Sequence, residues 1–191
     1  MPADPAAFDF LSTRMSYPAK MMTGPAPDRA ALEPILRAAL RVPDHGKLEP
    51  WRLVVIEKPA MARIADLAEA RAVELGGDPI KIEKGRGQFD RSHLAVVVLG
   101  RPRISDKAPE IEQVLSVGAL CLGVVNAATA AGWAANWLTG WVSHDAVFAE
   151  RAFGAGPGEW VAGIIHIGTP TLTFSDRPRP DMARVVSWVA E

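Results

Sequence analysis

Apolar and polar positions alternate along this chain with two different periods. Leu32, Ile35, Leu36, Ala39 and Leu40 recur at helical spacing and predict a helix over 28–41. Asp28 is placed to cap it, and Glu33 lies where the helix dipole favours an acid. Leu53–Ile56 and Leu94–Leu99 are short apolar runs rich in β-branched residues and predict buried strands. Trp133–Trp137 and Trp160–Gly168 predict two more, with Trp133 and Trp137 on one face. Pro59 suits the first turn of a helix running to about Leu75, where Gly76-Gly77 ends it. A helix is expected over 110–131, its second half apolar on nearly every side. Phe8, Phe10 and Leu11 give a short helix after a loose arm at 1–7. Residues 79–92, charged and holding Gly85 and Gly87, predict a short helix and a mobile loop. Ser143 is expected to cap a short helix ending near Phe153-Gly154, and Tyr17–Lys20 to be extended. The tail from 170 to 191 is proline-rich, and its apolar Val185, Val186 and Trp188 need a surface to lie on. Helices and strands alternate with connections longer than compact βαβ units require, which points to an α+β domain with a small sheet.

The uncharged run Val114–Ala131 raises the question of a membrane span. Its Ser116, Asn126, Thr129 and many small residues favour a helix buried all round in a core, part of it under a second subunit. Gly118, Ala119 and Gly123 would let another helix approach closely. The length of 191 residues suits a single domain over 1–191, and 49% hydrophobic residues suffice for a core. A net charge of −1 leaves no basic footprint for nucleic acid. The one cysteine, Cys121, excludes a disulfide framework within the chain, and the first residues do not read as a signal peptide; both fit a cytoplasmic setting.

Chemistry is sparse by motif. No two of the four histidines stand at metal-ligand spacing, and His166 reads as a core or edge residue of its strand. No G-x-S-x-G elbow, G-x-G-x-x-G fingerprint or phosphate-binding G-x-x-x-x-G-K-[ST] occurs. The loop Arg41–Trp51 stands apart. It carries His45, Lys47 and Glu49 between Pro43 and Pro50, each proline restricting the residue before it. Anion-competent groups are scattered elsewhere: Arg14 with Ser16, Lys20, Arg177 and Arg179.

Taken in order, Leu11–Ser16, Arg41–Trp51, Leu115–Gly118, Gly132–Gly140 and Ile167–Pro170 resemble the nitroreductase family of flavoproteins, in its small single-domain branch. The resemblance implies an α+β fold with a small, mostly antiparallel central sheet flanked by helices. It implies an intertwined homodimer with FMN at the interface and the C-terminal tail lying on the partner. The family's Arg-Arg-Ser motif, which holds the flavin phosphate and ribityl chain, maps onto Arg14, Met15 and Ser16, with Met15 in place of the middle arginine. Contacts after the first long helix map onto His45 and Glu49, where relatives often carry Gln or Asn at the latter. The segment flanking the flavin maps onto Trp137, Leu138 and Thr139. The basic tail residue that reaches the phosphate maps onto Arg179, with Arg177 second. Lys20 or Lys47 would place a cation near the charge of the reduced ring. The implied activity is ping-pong transfer of a hydride from NAD(P)H to FMN and on to a nitroaromatic, quinone or similar acceptor. Alternatives on the same fold are a specialised dehydrogenase or dehalogenase and a non-catalytic flavin-binding dimer.

Overall fold

β3 (Leu94–Gly100) is buried at every position, and that sets the architecture. A strand with no solvent face must be covered by helices on both sides. Leu94, Val96 and Val98 point into one apolar layer, and Ala95, Val97 and Leu99 into the other. In this computed structural model, which describes residues 2–173 and 175–190, β3 lies between β2 (Trp51–Glu57) and β5 (Trp160–Pro170). β4 (Ala134–Leu138) pairs with the far side of β5, and the two-residue β1 (Met22–Thr23) meets the end of β5. All pairings are antiparallel, in the register Trp51↔Gly100, Leu94↔Ile167 and Ala134↔Gly168.

One face carries α2 (Arg29–Ala39) and α5 (Glu110–Ala130). They touch where a Cβ on Gly123 would stand 2.8 Å from the Ala39 carbonyl oxygen, so the glycine permits the contact. The other face carries α3 (Lys58–Glu74), α4 (Pro79–Asp90) and α7 (Ala146–Phe153), around Phe89, Phe148 and Phe153 with ring centroids 5.4–6.3 Å apart. The short α6 (Trp141–His144) adds Val142 to this layer, while α1 (Pro5–Thr13) and α8 (Met182–Val185) are peripheral. The chain is therefore α+β with an antiparallel sheet.

Several expectations change. Residues 79–92 are not a short helix and mobile loop: α4 is continuous, started by Pro79 and capped by Asp78, whose side chain accepts from Lys81 N. Its glycines are contact points. A Cβ on Gly85 would collide with Trp141, and one on Gly87 with the Arg91 guanidinium. Ser143 caps nothing. It lies inside α6, and Asp145 caps α7 by accepting from Phe148 N at 2.7 Å. α1 begins at Pro5, so the expected loose arm at 1–7 is already helical over its last residues. Ala19–Met21 form a 3-10 turn instead of extended chain. α5 is not buried all round within one chain. Leu120, Cys121 and Val124 face the core, while Ile111, Leu115 and Leu122 are 62%, 66% and 43% exposed. Among the described residues it is the one helix long and apolar enough to cross a membrane, judged by length and composition alone. Met1, Phe174 and Glu191, within the expected arm and tail, lie outside the described residues.

Candidate functional site

The open edge of β4 fixes the segment that follows α1. Tyr17 N donates to the Ala135 carbonyl at 2.9 Å, and the Asn136 amide donates back to the Tyr17 carbonyl. Arg14 closes α1 through its own N–H to Phe10 O. Its Nη2 lies 3.3 Å from Ser16 Oγ. The tail folds back onto this point. Arg179 donates to the Arg14 carbonyl at 3.2 Å and forms a two-pronged pair with Asp176 at 2.7 and 2.9 Å. That pair holds the Asp176 carboxyl below its ordinary range. Arg14, Met15, Ser16, Arg177 and Arg179 thus line a cavity of about 280 Å³. Three arginines face one aspartate there, and Arg14 Nε is buried with no acceptor. A buried donor of that kind is costly unless a ligand satisfies it.

A larger cavity of about 690 Å³ adjoins it, sharing Ser16, Pro18 and Arg177. Trp137, Leu138 and Thr139 form one wall, with Lys20 beside them, and α4 forms the opposite wall through Glu83, Lys84, Gly87 and Gln88. Trp137 donates Nε1–H to the Ala162 carbonyl at 3.1 Å, so it offers the cavity ring surface and no free donor. Arg91 ties up Glu83 at 2.9 Å. His166 closes the floor, 2% exposed, between Ser92 Oγ at 2.8 Å and Gln88 Nε2 at 3.3 Å. Burial pushes its pKa down to about 4, so it is neutral at pH 7. The histidine expected in the core or at an edge is therefore a core residue with both ring nitrogens partnered.

His45 and Glu49 line neither cavity. Their loop lies against the start of α5, where Ser116 donates to the Pro43 carbonyl and His45 Nδ1 meets Glu112 at 2.6 Å. Gly46, Lys47 and Glu49 all have positive φ. Asp44 holds that shape by accepting from Leu48 N and Glu49 N at 3.1 and 2.9 Å. Within one chain, then, Arg14, Met15, Ser16, Arg179 and Trp137–Thr139 converge, whereas His45, Lys47 and Glu49 stand elsewhere. Among the described residues no group of three or more His, Cys, Asp or Glu side chains is arranged to hold a metal ion.

Residues 14–169 match the family described as the nitroreductase family. The chain belongs to that family. It is 33% identical over 169 residues to "Putative NAD(P)H nitroreductase YdjA" of Escherichia coli K12, covering 88% of this chain and 91% of that protein. It is 36% identical over 166 residues to a Haemophilus influenzae protein named "Putative NAD(P)H nitroreductase", covering 85% and 88%. Its fold overlays a Desulfovibrio desulfuricans structure described as "a putative nitroreductase in complex with fmn", with a TM-score of 0.74, 19% identity and full coverage of both chains.

Two residues lining the larger cavity escaped sequence reasoning. Gln88 and Ser92 lie in a stretch expected to be a mobile loop. The readable sign for both was Asp78-Pro79, a cap followed by a first-turn proline, which makes α4 one helix and puts Gln88 and Ser92 at its end.

Proposed function

We propose that the chain is one domain of an FMN-dependent NAD(P)H oxidoreductase that works as a homodimer. The observation that carries this reading is the buried, acceptor-less Nε of Arg14, a residue of the cationic pocket that shares Ser16, Pro18 and Arg177 with the Trp137-walled cavity. The donor set fits FMN. Arg14, Ser16, Arg177 and Arg179 match a phosphate dianion, with Met15 contributing no charge. Trp137 and Leu138 match a flat apolar ring, and Thr139 adds a hydroxyl at its edge. Lys20 lies on the same cavity and would favour negative charge on the ring. The chemistry that FMN supplies when bound is hydride acceptance at N5 from NAD(P)H and, in a separate half-reaction, delivery of the electrons to a nitroaromatic, quinone or similar small acceptor. The protein's own part is to bind, orient and wall off the reactants, with no general acid or base required for the first half.

The homodimer rests on two uncovered apolar features. Ile111, Leu115 and Leu122 form an exposed stripe on α5, with open space over Gly118 between them. Met182, Val185, Trp188 and Val189 in the tail are 64–89% exposed. Stripe and tail are the surfaces a second copy would cover. In this reading His45 and Glu49, at the stripe end of α5, reach the flavin of the other subunit.

One observation favours a specialised relative, a dehydrogenase or dehalogenase, as the second reading. α4 lines the cavity with Glu83, Lys84 and Gln88, so the 76–92 region supplies the charged and polar wall expected of a selective substrate site. The absorption spectrum of the purified protein, before and after NADH or NADPH, tests both. Flavin bands that bleach with a nicotinamide support the first reading. Bands that do not bleach favour the second. A colourless protein that takes up no added FMN overturns both.

A further inference from the structure

We propose that Gln88 is a ligand-binding residue of the large cavity, its amide carbonyl aimed at an N–H donor of the ligand by the neutral imidazole of His166. The inference deepens the flavoenzyme reading and rests on it.

Ser92 Oγ lies 3.3 Å from the Leu94 carbonyl oxygen and donates its only proton there. In the proposed arrangement the same hydroxyl accepts at 2.8 Å from His166 Nδ1, which then carries the imidazole proton. Nε2 is left with a lone pair. It faces Gln88 Nε2 at 3.3 Å, and that amide nitrogen donates to it. With its NH2 group committed to His166, the carboxamide of Gln88 turns its oxygen the other way. Gln88 is half-buried and lines the cavity. Its oxygen is not among the buried atoms without a partner, which places it at the accessible side.

Both anchors are rigid. His166 lies in the middle of β5, paired with Ala95 and Asn136, and Ser92 is turned back onto Phe89 O at the end of α4. Burial keeps the imidazole neutral and so keeps Nε2 an acceptor. A bare carbonyl fixed in this way selects an amide-type N–H and offers nothing to a ligand that only accepts. Two ligands of the proposed reaction carry such a group: the imide N–H of the flavin ring and the carboxamide of nicotinamide. His166 is the positioning residue, and Gln88 makes the contact.

The first test needs no activity. Nitrogen NMR of the ligand-free, ¹⁵N-histidine-labelled protein is expected to show His166 as the Nδ1–H tautomer. The Nε2–H tautomer would overturn the proposal, because Gln88 would then present its NH2 group to the cavity. The second test compares the FMN dissociation constant and the KM values for NADH and NADPH in wild type and Gln88→Leu. A loss of about three- to tenfold in FMN affinity assigns the imide. The same loss in nicotinamide KM with FMN affinity unchanged assigns the carboxamide. Unchanged constants in a flavin-loaded Gln88→Leu protein overturn the inference alone, whereas a colourless wild type overturns the reading beneath it. His166→Phe should reproduce the Gln88→Leu loss in the same constant. If that variant does not fold, Ser92→Ala is expected to mix the two tautomers and move the same constant by less.

Discussion

The indole of Trp137 occupies the space where a side chain at residue 163 would stand. A Cβ built on Gly163 would lie 2.2 Å from Trp137 Nε1, which donates to the neighbouring Ala162 carbonyl. The two residues come from adjacent strands, and the missing side chain on β5 is what lets the β4 indole lie against the sheet beside the cavity. Gly163→Ala must therefore push the indole outward. Trp137 is 38% exposed and has room to move, so the protein should fold with a modest loss of melting temperature. Flavin titration is expected to show a several-fold weaker dissociation constant. An unchanged constant would remove Trp137 from the cofactor wall.

Arg14→Ala removes the buried donor and one charge of the phosphate cluster. The loss expected for a charge-assisted hydrogen bond is about 1.5–3 kcal/mol, or roughly 10- to 150-fold in FMN affinity. Arg151→Ala serves as a control, since Arg151 pairs with Glu74 on the surface and lines neither cavity. Fluorescence titration of the apoprotein reads both.

Acid should destabilise the fold in two stages. The His166 pKa is about 4 in the folded chain against 6.5 ordinarily, so between these values the unfolded chain binds more protons. Stability from this group is complete above pH 6.5 and falls as pH drops toward 4, by about 3 kcal/mol in all. Glu159, held to about 2 by Arg52 at 2.6 and 2.8 Å, adds a second loss as pH falls from 4.5 through 2. Denaturant titrations at pH 7, 5 and 4 should show the first stage, and His166→Phe should flatten it.

Leu115→Glu places a charge in the middle of the exposed stripe on α5. If that stripe is the subunit contact, light scattering should show a wild-type dimer and a monomeric variant with unchanged helix content. A variant that stays dimeric would move the interface elsewhere.

Cys121 is fully buried, and its thiol is pushed up to about 12. No thiolate forms at neutral pH, so a disulfide reagent should leave the native protein untouched and react only after denaturation. Rapid native labelling would show that α5 opens readily.

The elements read most easily from sequence are those whose burial is done by side chains. Leu32, Ile35, Leu36 and Ala39 of α2 and the β-branched runs of β2 and β3 announce their periods. α4 reads as only a short helix with a mobile loop because glycines do part of its burying. Gly85 meets Trp141 and Gly87 meets Arg91, and an absent side chain has no hydrophobic period. Residue type alone points to Ser143 as a cap, but Asp145 stands nearer the α7 amides. In the site, Arg14, Ser16 and Arg179 come together over a long sequence separation that only the family resemblance made visible. Asp78-Pro79 signals the helix that carries Gln88, but nothing in the sequence signals its contact with His166, which lies in β5.

The loop at 44–49 is shaped before any partner arrives. Lys47 and Glu49 sit in a left-handed conformation that costs a residue with a side chain about 1 kcal/mol, and the Asp44 carboxylate repays it. For protein engineering, this is a spring with one catch. Lys47→Gly would release tension and raise heat tolerance, whereas Asp44→Ala would free the loop to relax into other shapes. A thermostability screen blind to turnover would favour the first change, and a screen for turnover would show whether that tension serves the reaction.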